Sequence, residues 1–494
     1  MAITKTVEQN LILEQAEKGD SFKIMAYAGS GKTTTLKLIS ESRPKKSGLY
    51  LAFNKAIATE ASEKFPDTVD CRTFHSVAFR NTNKAITDKL KLPRITPTLL
   101  AKKYDIEPCS VRLQEMDKAR HLEPKALARL VNESVLAFCQ TSADYPSCQH
   151  IVVPDGIYSG DIDSLQRYLL PYVQRKWEDS INPVNRAGIG HEIYLKLWAL
   201  NKPQISADYI LFDEAQDSDP LMLGVLLNQK NTQVIYVGDP HQQIYAWRGA
   251  INAMQTLNIA EARLTQSFRF GGAIADTANL LLGQLGETVS LIGNPLKKSA
   301  VHLSSVLDKS IDAVLCRSNA AVIHNLIHGL SQNHKVAIQA DTQQMIDFIE
   351  GAQKIQNGER SDHRELMMFE SWKDVIEFVE SGEGSGLLPL AKLIEKHGGD
   401  LLIEILTQAS KAENSDYIIS TAHKAKGLEW GKVRLDSGFM YKIDQLGLNI
   451  SKDELRLIYV AATRAKDNLD ASGLADLLSY IKLKNSVKPN AVSW

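Results

Sequence analysis

No surplus of either charge marks this chain. Its 57 Lys and Arg stand against 58 Asp and Glu, a formal charge of −1, so there is no general attraction to a polyanion and any nucleic-acid groove has to be locally basic. Cysteine is scarce: Cys71, Cys109, Cys139, Cys148 and Cys316 are scattered and odd in number, which argues against a disulfide framework and fits a reducing compartment. Cys139, Cys148 and His150 invite a metal reading, but no close-spaced Cys pair accompanies them, and no metal site beyond Mg2+ is expected. Long apolar runs are missing as well, and Met1 to Leu13 has neither a basic n-region nor an apolar h-region. The expectation is a soluble, intracellular protein without a membrane partner: cytoplasmic, nucleoid-associated if bacterial, nuclear if eukaryotic. Internal repeats and low-complexity tracts are absent, and 494 residues suffice for two to four domains with full-sized cores.

What is present begins with Ala26-Tyr-Ala-Gly-Ser-Gly-Lys-Thr33. An apolar run, Phe22 to Met25, leads in as a buried strand, and Thr34 to Ser40 leads out as a helix whose N-terminal dipole faces an anion. The glycines let such a loop wrap a phosphate chain with backbone N–H groups. Ala28, Gly29, Ser30, Gly31, Lys32, Thr33 and Thr34 are therefore candidate nucleotide contacts. Lys32 is expected to meet the β- and γ-phosphates of ATP, and Thr33 to hold Mg2+. The first glycine of the general pattern is replaced here by Ala26.

The flanking order is that of a parallel sheet with crossovers. Thr6-Val-Glu-Gln9 precedes an amphipathic helix, Asn10 to Lys18. The Gln9 amide, just upstream of the phosphate loop, has the donor and acceptor needed to pair with adenine. Gly48 to Phe53 reads as a second strand, followed by a helix through Phe65, and Cys71 to Ser76 as the end of a third. From residue 80 to 191 helical periodicity takes over, with proline-marked joints at Pro93, Pro97, Pro108, Pro124, Pro146, Pro154, Pro171 and Pro183. The sheet pattern then resumes with Tyr209–Phe212 and Val234–Val237. A second set of short strands begins with Leu264 to Phe270, continues at Ala313, pauses over 342–415 and resumes at Tyr417. The fold class is thus α/β: lobe one over 1–79 and 192–261, a helical insertion over 80–191, lobe two over 262–341 and 416–494, and a smaller helical insertion over 342–415.

A hydrophobic strand ending in Asp213-Glu214 delivers two carboxylates where α/β folds place their ligands. Asp213 is assigned to the Mg2+ shell and Glu214 to the proton of an attacking water. Two lobes with a nucleotide between them also need cations for the developing phosphoryl charge. Arg269, in Ser267-Phe-Arg269, and Arg464, in Tyr459-Val-Ala-Ala-Thr-Arg-Ala465, are the candidates. Single aromatics are more often core than nucleic-acid platforms; Trp247, between a glycine-punctuated turn and Arg248-Gly249, is the exception.

Taken together, these stretches resemble the UvrD/Rep group of superfamily 1 helicases, motif by motif and in the group's order. Thr6 to Gln9 is similar to its adenine-reading Q motif and Ala26 to Thr33 to its Walker A. Phe53-Asn-Lys55 and Thr73-Phe-His75 are similar to its first DNA-contacting motifs, and Asp213 to Gln216 to its Walker B. Gly238 to Ala250 is similar to the motif coupling nucleotide to DNA, and Thr421 to Trp430 to the motif ending Lys-Gly-Leu-Glu. The resemblance implies two RecA-like motor lobes with ATP and Mg2+ as cofactors. It also implies that Gln242 senses the γ-phosphate, that Gly427 and Glu429 lie at the ribose, and that Phe268 packs on adenine. Phe53, Asn54, Thr73, Phe74, His75, Tyr245, Trp247, Arg248 and His423 would then line the single-strand path, where stacking tolerates every base.

A narrower likeness, in His191 to Trp198 and in Pro240-His-Gln-Gln243, is to the F-box DNA helicase family. Eukaryotic members carry an F-box ahead of the motor. Here the Q-like motif begins at residue 6, and ubiquitin-ligase duty is not expected.

The expected function is an ATP-driven translocase on single-stranded DNA and at single-strand/duplex junctions, moving 3′ to 5′ as the resemblance implies. The short 342–415 insertion predicts weak duplex grip, hence filament clearance rather than processive unwinding, with a recombinase filament or a nuclease as partner. Two alternatives stay open: an ATP-switched DNA-binding component of a repair or defence complex, and an RNA motor, since stacking does not read the sugar.

Overall fold

The computed structural model describes residues 5–486 apart from 114–115, 155, 247–248, 306–310, 362, 368, 381–385 and 410, and apart from the side chains of 113 and 116–118. Its first sheet has six parallel strands in the order Val69–Thr73, Gly48–Ala52, Tyr209–Phe212, Gln233–Gly238, Phe22–Ala26, Ala260–Leu264. The central strands are buried throughout or nearly so, as expected where helices cover both faces of a parallel sheet. A second six-stranded parallel sheet runs Val336–Gln339, Tyr417–Thr421, Ala313–Cys316, Trp430–Leu435, Ala465–Asp470, Ala300–His302. These are two RecA-like α/β lobes.

Helix starts follow local chemistry. Thr6 and Gln9 form a capping box on Val7–Glu17, while Asn54 caps Lys55–Lys64 and Thr73 caps Phe74–Asn81, each side-chain oxygen satisfying an otherwise orphan N–H. Between the sheet halves of the first lobe lie the helices Pro97–Tyr104, Pro124–Cys139 and Ser159–Ile181. The second lobe is interrupted by Thr342–Gln356, Trp372–Glu380, Leu390–His397 and Gly399–Thr407. One apolar cluster runs from the first sheet (Leu49, Phe212) through the first insertion (Phe138, Trp177) into the second (Phe348, Leu390). Arg120, 6% exposed at its side chain, clasps Glu370 and Asp374 across that junction at 3.0 Å each.

Three sequence expectations need correction. Leu264 to Phe270 is not the opening strand of the second lobe. The strand is Ala260–Leu264, and it pairs with Phe22–Ala26 at the edge of the first sheet, so that sheet crosses the 261/262 junction. The first insertion is not helical throughout, because Cys109–Leu113 and Met116–Leu122 form an antiparallel hairpin. Pro171 marks no joint; the helix Ser159–Ile181 continues through it. The Ser381–Gly386 interruption falls almost wholly outside the described residues.

Candidate nucleotide and nucleic-acid site

Parallel strands that end side by side place their following loops in one cleft. Met25 is in register with Gly238 and Leu51 with Phe212, so the phosphate loop, Asp213-Glu214 and Asp239 to Gln242 share an edge. Gly29 and Gly31 adopt φ of 72° and 78°, the left-handed region that only glycine enters freely. At Gly29 space is as restrictive as torsion: a Cβ there would lie 2.6 Å from both Arg269 Cβ and Ser267 Oγ. The helix Lys32–Glu41 starts directly behind this loop.

Lys32 Nζ lies 3.1 Å from Glu214 Oε1. Burial draws the Lys32 ammonium down, but the carboxylates of Glu214, Asp213 and Asp239 outweigh it and hold it above its ordinary value. Burial pushes the Glu214 carboxyl up, yet Lys32 and Lys426 overcome this and hold it at about 2. Asp213 moves the other way, raised by burial and by the neighbouring Glu214 charge. Its Oδ2 accepts from Tyr50 Oη at 2.6 Å and its Oδ1 from the Glu214 N–H at 2.9 Å. The two neighbouring carboxyls are thus pushed in opposite directions, Glu214 by the lysines beside it and Asp213 by burial and the Glu214 charge.

The second lobe closes the cleft. Arg269 donates from Nε to Glu429 at 2.7 Å and from Nη1 to the Thr463 carbonyl at 3.0 Å. Arg464, 2% exposed, donates to the Val460 and Leu428 carbonyls at 2.9 and 3.3 Å, and its Nη2 lies 3.5 Å from Gln242 Oε1. Burial and the nearby Arg269 charge lower it to about 9, still a cation at neutral pH. Gln242 Nε2 donates to Asp239 at 2.8 Å. The Tyr459 hydroxyl donates to the same carboxylate at 2.8 Å and accepts from the Ala28 N–H at 3.3 Å, so a helix of lobe two touches the phosphate loop itself.

Several atoms suit a phosphate and a divalent cation. Ser30 Oγ is buried in the loop without a hydrogen-bond partner, Gly29 and Gly31 leave the cradle open, and the Thr33 hydroxyl and the Asp213 carboxylate are the oxygen donors that Mg2+ takes. Beside the loop, a Cβ on Gly31 would sit 3.4 Å from the Phe268 ring and 4.0 Å from Gln9 Nε2. Phe268 is 41% exposed and its N–H donates to the Gly29 carbonyl at 2.7 Å. Gln9 is already engaged: Oε1 accepts from the Thr6 N–H at 3.0 Å and Nε2 donates to Thr35 Oγ1 at 3.2 Å. Gly427, at φ 87° with open space around it, adjoins Leu428 and Glu429.

The expected single-strand residues divide. The rings of Phe53, 56% exposed, and Tyr245 lie parallel within 10°, 6.4 Å apart. Tyr245 Oη donates to the His423 carbonyl at 3.1 Å. Both rings, with His75, Asp213, Glu214 and Asp217, line a cavity of about 320 Å³. Burial lowers His75 despite the nearby Glu192 carboxylate. Asn54 and Thr73 spend their side chains on helix caps. Phe74 also lines this cavity, but its ring is 4% exposed and packs edge-on to Trp198 and Phe212. Trp247 and Arg248 lie outside the described residues.

Lys426 was not singled out by sequence, yet it joins the two halves of the site. It pairs with Asp217, donates to the Gln242 carbonyl at 2.7 Å and sits over the Tyr245 ring at 5.5 Å. Tyr459 and Asp239 were missed likewise. Their only signal was membership of runs in which other residues drew attention.

Comparison with known proteins agrees with this geometry. Residues 9–248 match the AAA domain family and residues 330–473 the UvrD-like helicase C-terminal domain. F-box DNA helicase protein 1 of Schizosaccharomyces pombe is 28% identical over 508 residues, covering 94% of this chain and 57% of that protein. F-box DNA helicase 1 of Gallus gallus is 29% identical over 509 residues, covering 93% and 48%. DNA helicase II of Escherichia coli is 37% identical over 110 residues, 19% of this chain and 15% of that protein. The chain spans about half the length of the two F-box relatives. Among the described residues no helix is long and apolar enough to cross a membrane. With both lobes matched in order and the motif residues gathered at one cleft, this chain belongs to the UvrD-like superfamily 1 helicases and resembles the F-box DNA helicases among them.

Proposed function

We propose that this chain is an ATP-driven translocase on single-stranded DNA, moving 3′ to 5′ and acting in repair or recombination control. The observation that carries this reading is the shared wall. Asp217, three residues after Glu214, is paired with Lys426, which covers the stacking ring of Tyr245, so a change at the phosphates has a short physical route to a base platform.

In this reading the loop N–H groups and Ser30 Oγ hold the phosphates, and Lys32 exchanges Glu214 for a phosphate oxygen. Glu214, released from that ion pair, becomes basic enough to take the proton of the attacking water. Gln242 orients the reacting end, while Arg269 and Arg464 stabilise charge on the equatorial oxygens. Thr33 and Asp213 would hold Mg2+, which supplies charge neutralisation on the phosphates when bound. Gln9 and Phe268 frame the base, and Gly427 and Glu429 the ribose. Phe53, Tyr245, His75 and His423, with backbone groups near Asn54 and Thr73 and with Trp247 and Arg248, track the strand.

The division into lobes 1–79 with 192–261 and 262–341 with 416–494, carrying the accessory insertions 80–191 and 342–415, belongs to the same proposal, with the first boundary moved beyond Leu264. The small second insertion supports clearance of protein filaments from single strands over processive opening of duplexes. ATPase rate with no nucleic acid, with single-stranded DNA and with RNA of equal length tests the core reading. DNA stimulation supports it; an unstimulated rate favours an ATP-switched binding component, and stimulation by RNA alone replaces DNA as the track. Displacement of a strand-exchange recombinase compared with unwinding of a tailed duplex, at equal ATP consumption, tests the role.

A further inference from the structure

The loop joining the two sheets, Thr265 to Arg269, carries both Phe268 and Arg269, and it is tied down at each step. The Ser267 N–H donates to the Ile292 carbonyl and the Phe268 N–H to the Gly29 carbonyl, both at 2.7 Å. Its first residue is held from a different direction. Glu8, on the N-terminal helix, accepts from the Thr265 N–H at 2.9 Å and from Thr265 Oγ1 at 2.6 Å. A carboxylate in the first turn of a helix is favoured by the dipole, and both of its bonds here are charge-assisted. The adjacent residue, Gln9, donates to Thr35 on the helix behind the phosphate loop. The N-terminal helix therefore grips one wall of the base slot through Gln9 and the other through Glu8, with Gly31 between Gln9 and Phe268.

We infer that Glu8 is a positioning residue that sets the width of the nucleobase slot, and with it the preference for adenine, by fixing Thr265 and thereby Phe268 relative to Gln9. This rests on the reading of the cleft as an ATP site. Glu8 touches neither phosphate loop nor carboxylates, so its loss loosens base recognition without removing the hydrolytic groups.

The experiment is steady-state hydrolysis of ATP and GTP by full-length wild type, Glu8→Ala, Glu8→Gln, Thr265→Val and the Glu8→Ala/Thr265→Val double variant. A hydrogen bond to a charged group predicts that Glu8→Ala raises KM for ATP about tenfold, leaves kcat within about twofold, and lowers the ATP-to-GTP ratio of kcat/KM about tenfold. Glu8→Gln, which retains a carbonyl acceptor, recovers part of the selectivity. The double variant is no worse than the more impaired single variant, because both remove one link. Unchanged selectivity in Glu8→Ala, or additive losses in the double variant, overturns the inference and leaves the ATP-site reading intact. A wild type that turns over neither nucleotide overturns both. Should Glu8→Ala fail to fold, Glu8→Gln and Thr265→Val carry the same comparison, and unaltered selectivity in both overturns it equally.

Discussion

Glu214→Gln separates binding from chemistry at this cleft. In the wild-type geometry Lys32 and Glu214 are ion-paired at 3.1 Å, an arrangement that an incoming phosphate has to break. At an effective dielectric of about 20, unit charges at that separation attract by about 5 kcal/mol before desolvation is counted. Water regained by the freed groups returns most of this, leaving a net cost to nucleotide binding of about 1–2 kcal/mol. Glutamine still offers Lys32 a carbonyl oxygen but no charge, so ATP affinity should rise about 5- to 30-fold. Turnover should fall by about 10²-fold or more, since the group proposed to accept the proton of water is gone. A fluorescent ATP analogue titrated into both proteins, with phosphate release measured in parallel, reads the two effects independently. Hydrolysis within about tenfold of wild type would refute the role of Glu214. Unchanged or weaker ATP binding would refute the competition between carboxylate and phosphate for Lys32.

Arg269→Ala and Arg464→Ala should each slow ATP hydrolysis by roughly 10³-fold, the range for an arginine finger; a monodisperse variant with normal turnover would reassign that arginine to structure. Phe53→Ala should weaken binding of single strands by about 1–3 kcal/mol with no base preference, read by fluorescence anisotropy, while KM for ATP without DNA stays unchanged. Burial raises Asp219 to about 6, so the folded chain takes up its proton above the unfolded value of about 4, and this group costs stability progressively as pH rises through that window. Asp219→Asn keeps an acceptor for the Met222 N–H at the cap of Pro220–Leu227 and removes the titration. Its melting temperature should gain on wild type between pH 4 and 7, and a constant difference across that range would contradict the assignment.

Much of the nucleotide half of the site was legible because its chemistry is written in contiguous residues. Glycines at 29 and 31 and a buried strand ending at Phe212 fix their surroundings locally. The aromatic half was less so. Phe74 sits at the first position of a helix whose inner face meets the core, and whether such a ring turns inward depends on Trp198, over a hundred residues away. The strand Ala260–Leu264 was overlooked because an edge strand carries charge, here Glu261 and Arg263 paired with each other at 2.8 Å, which mutes the apolar pattern that marks central strands. Lys426 is one lysine among many in sequence; only the fold brings Asp217, Gln242 and Tyr245 to it.

The single passage of the chain from one sheet to the other, Thr265 to Arg269, lies against Gly29 of the phosphate loop. A rotation of one lobe about that passage moves each atom in proportion to its distance from it. Gly29, in contact with the passage, is displaced little by any such rotation. The crossing thus doubles as a wall of the phosphate loop: with the Phe268 N–H bonded to the Gly29 carbonyl and Arg269 Cβ against Gly29, the covalent link between the sheets cannot shift there without disturbing the loop.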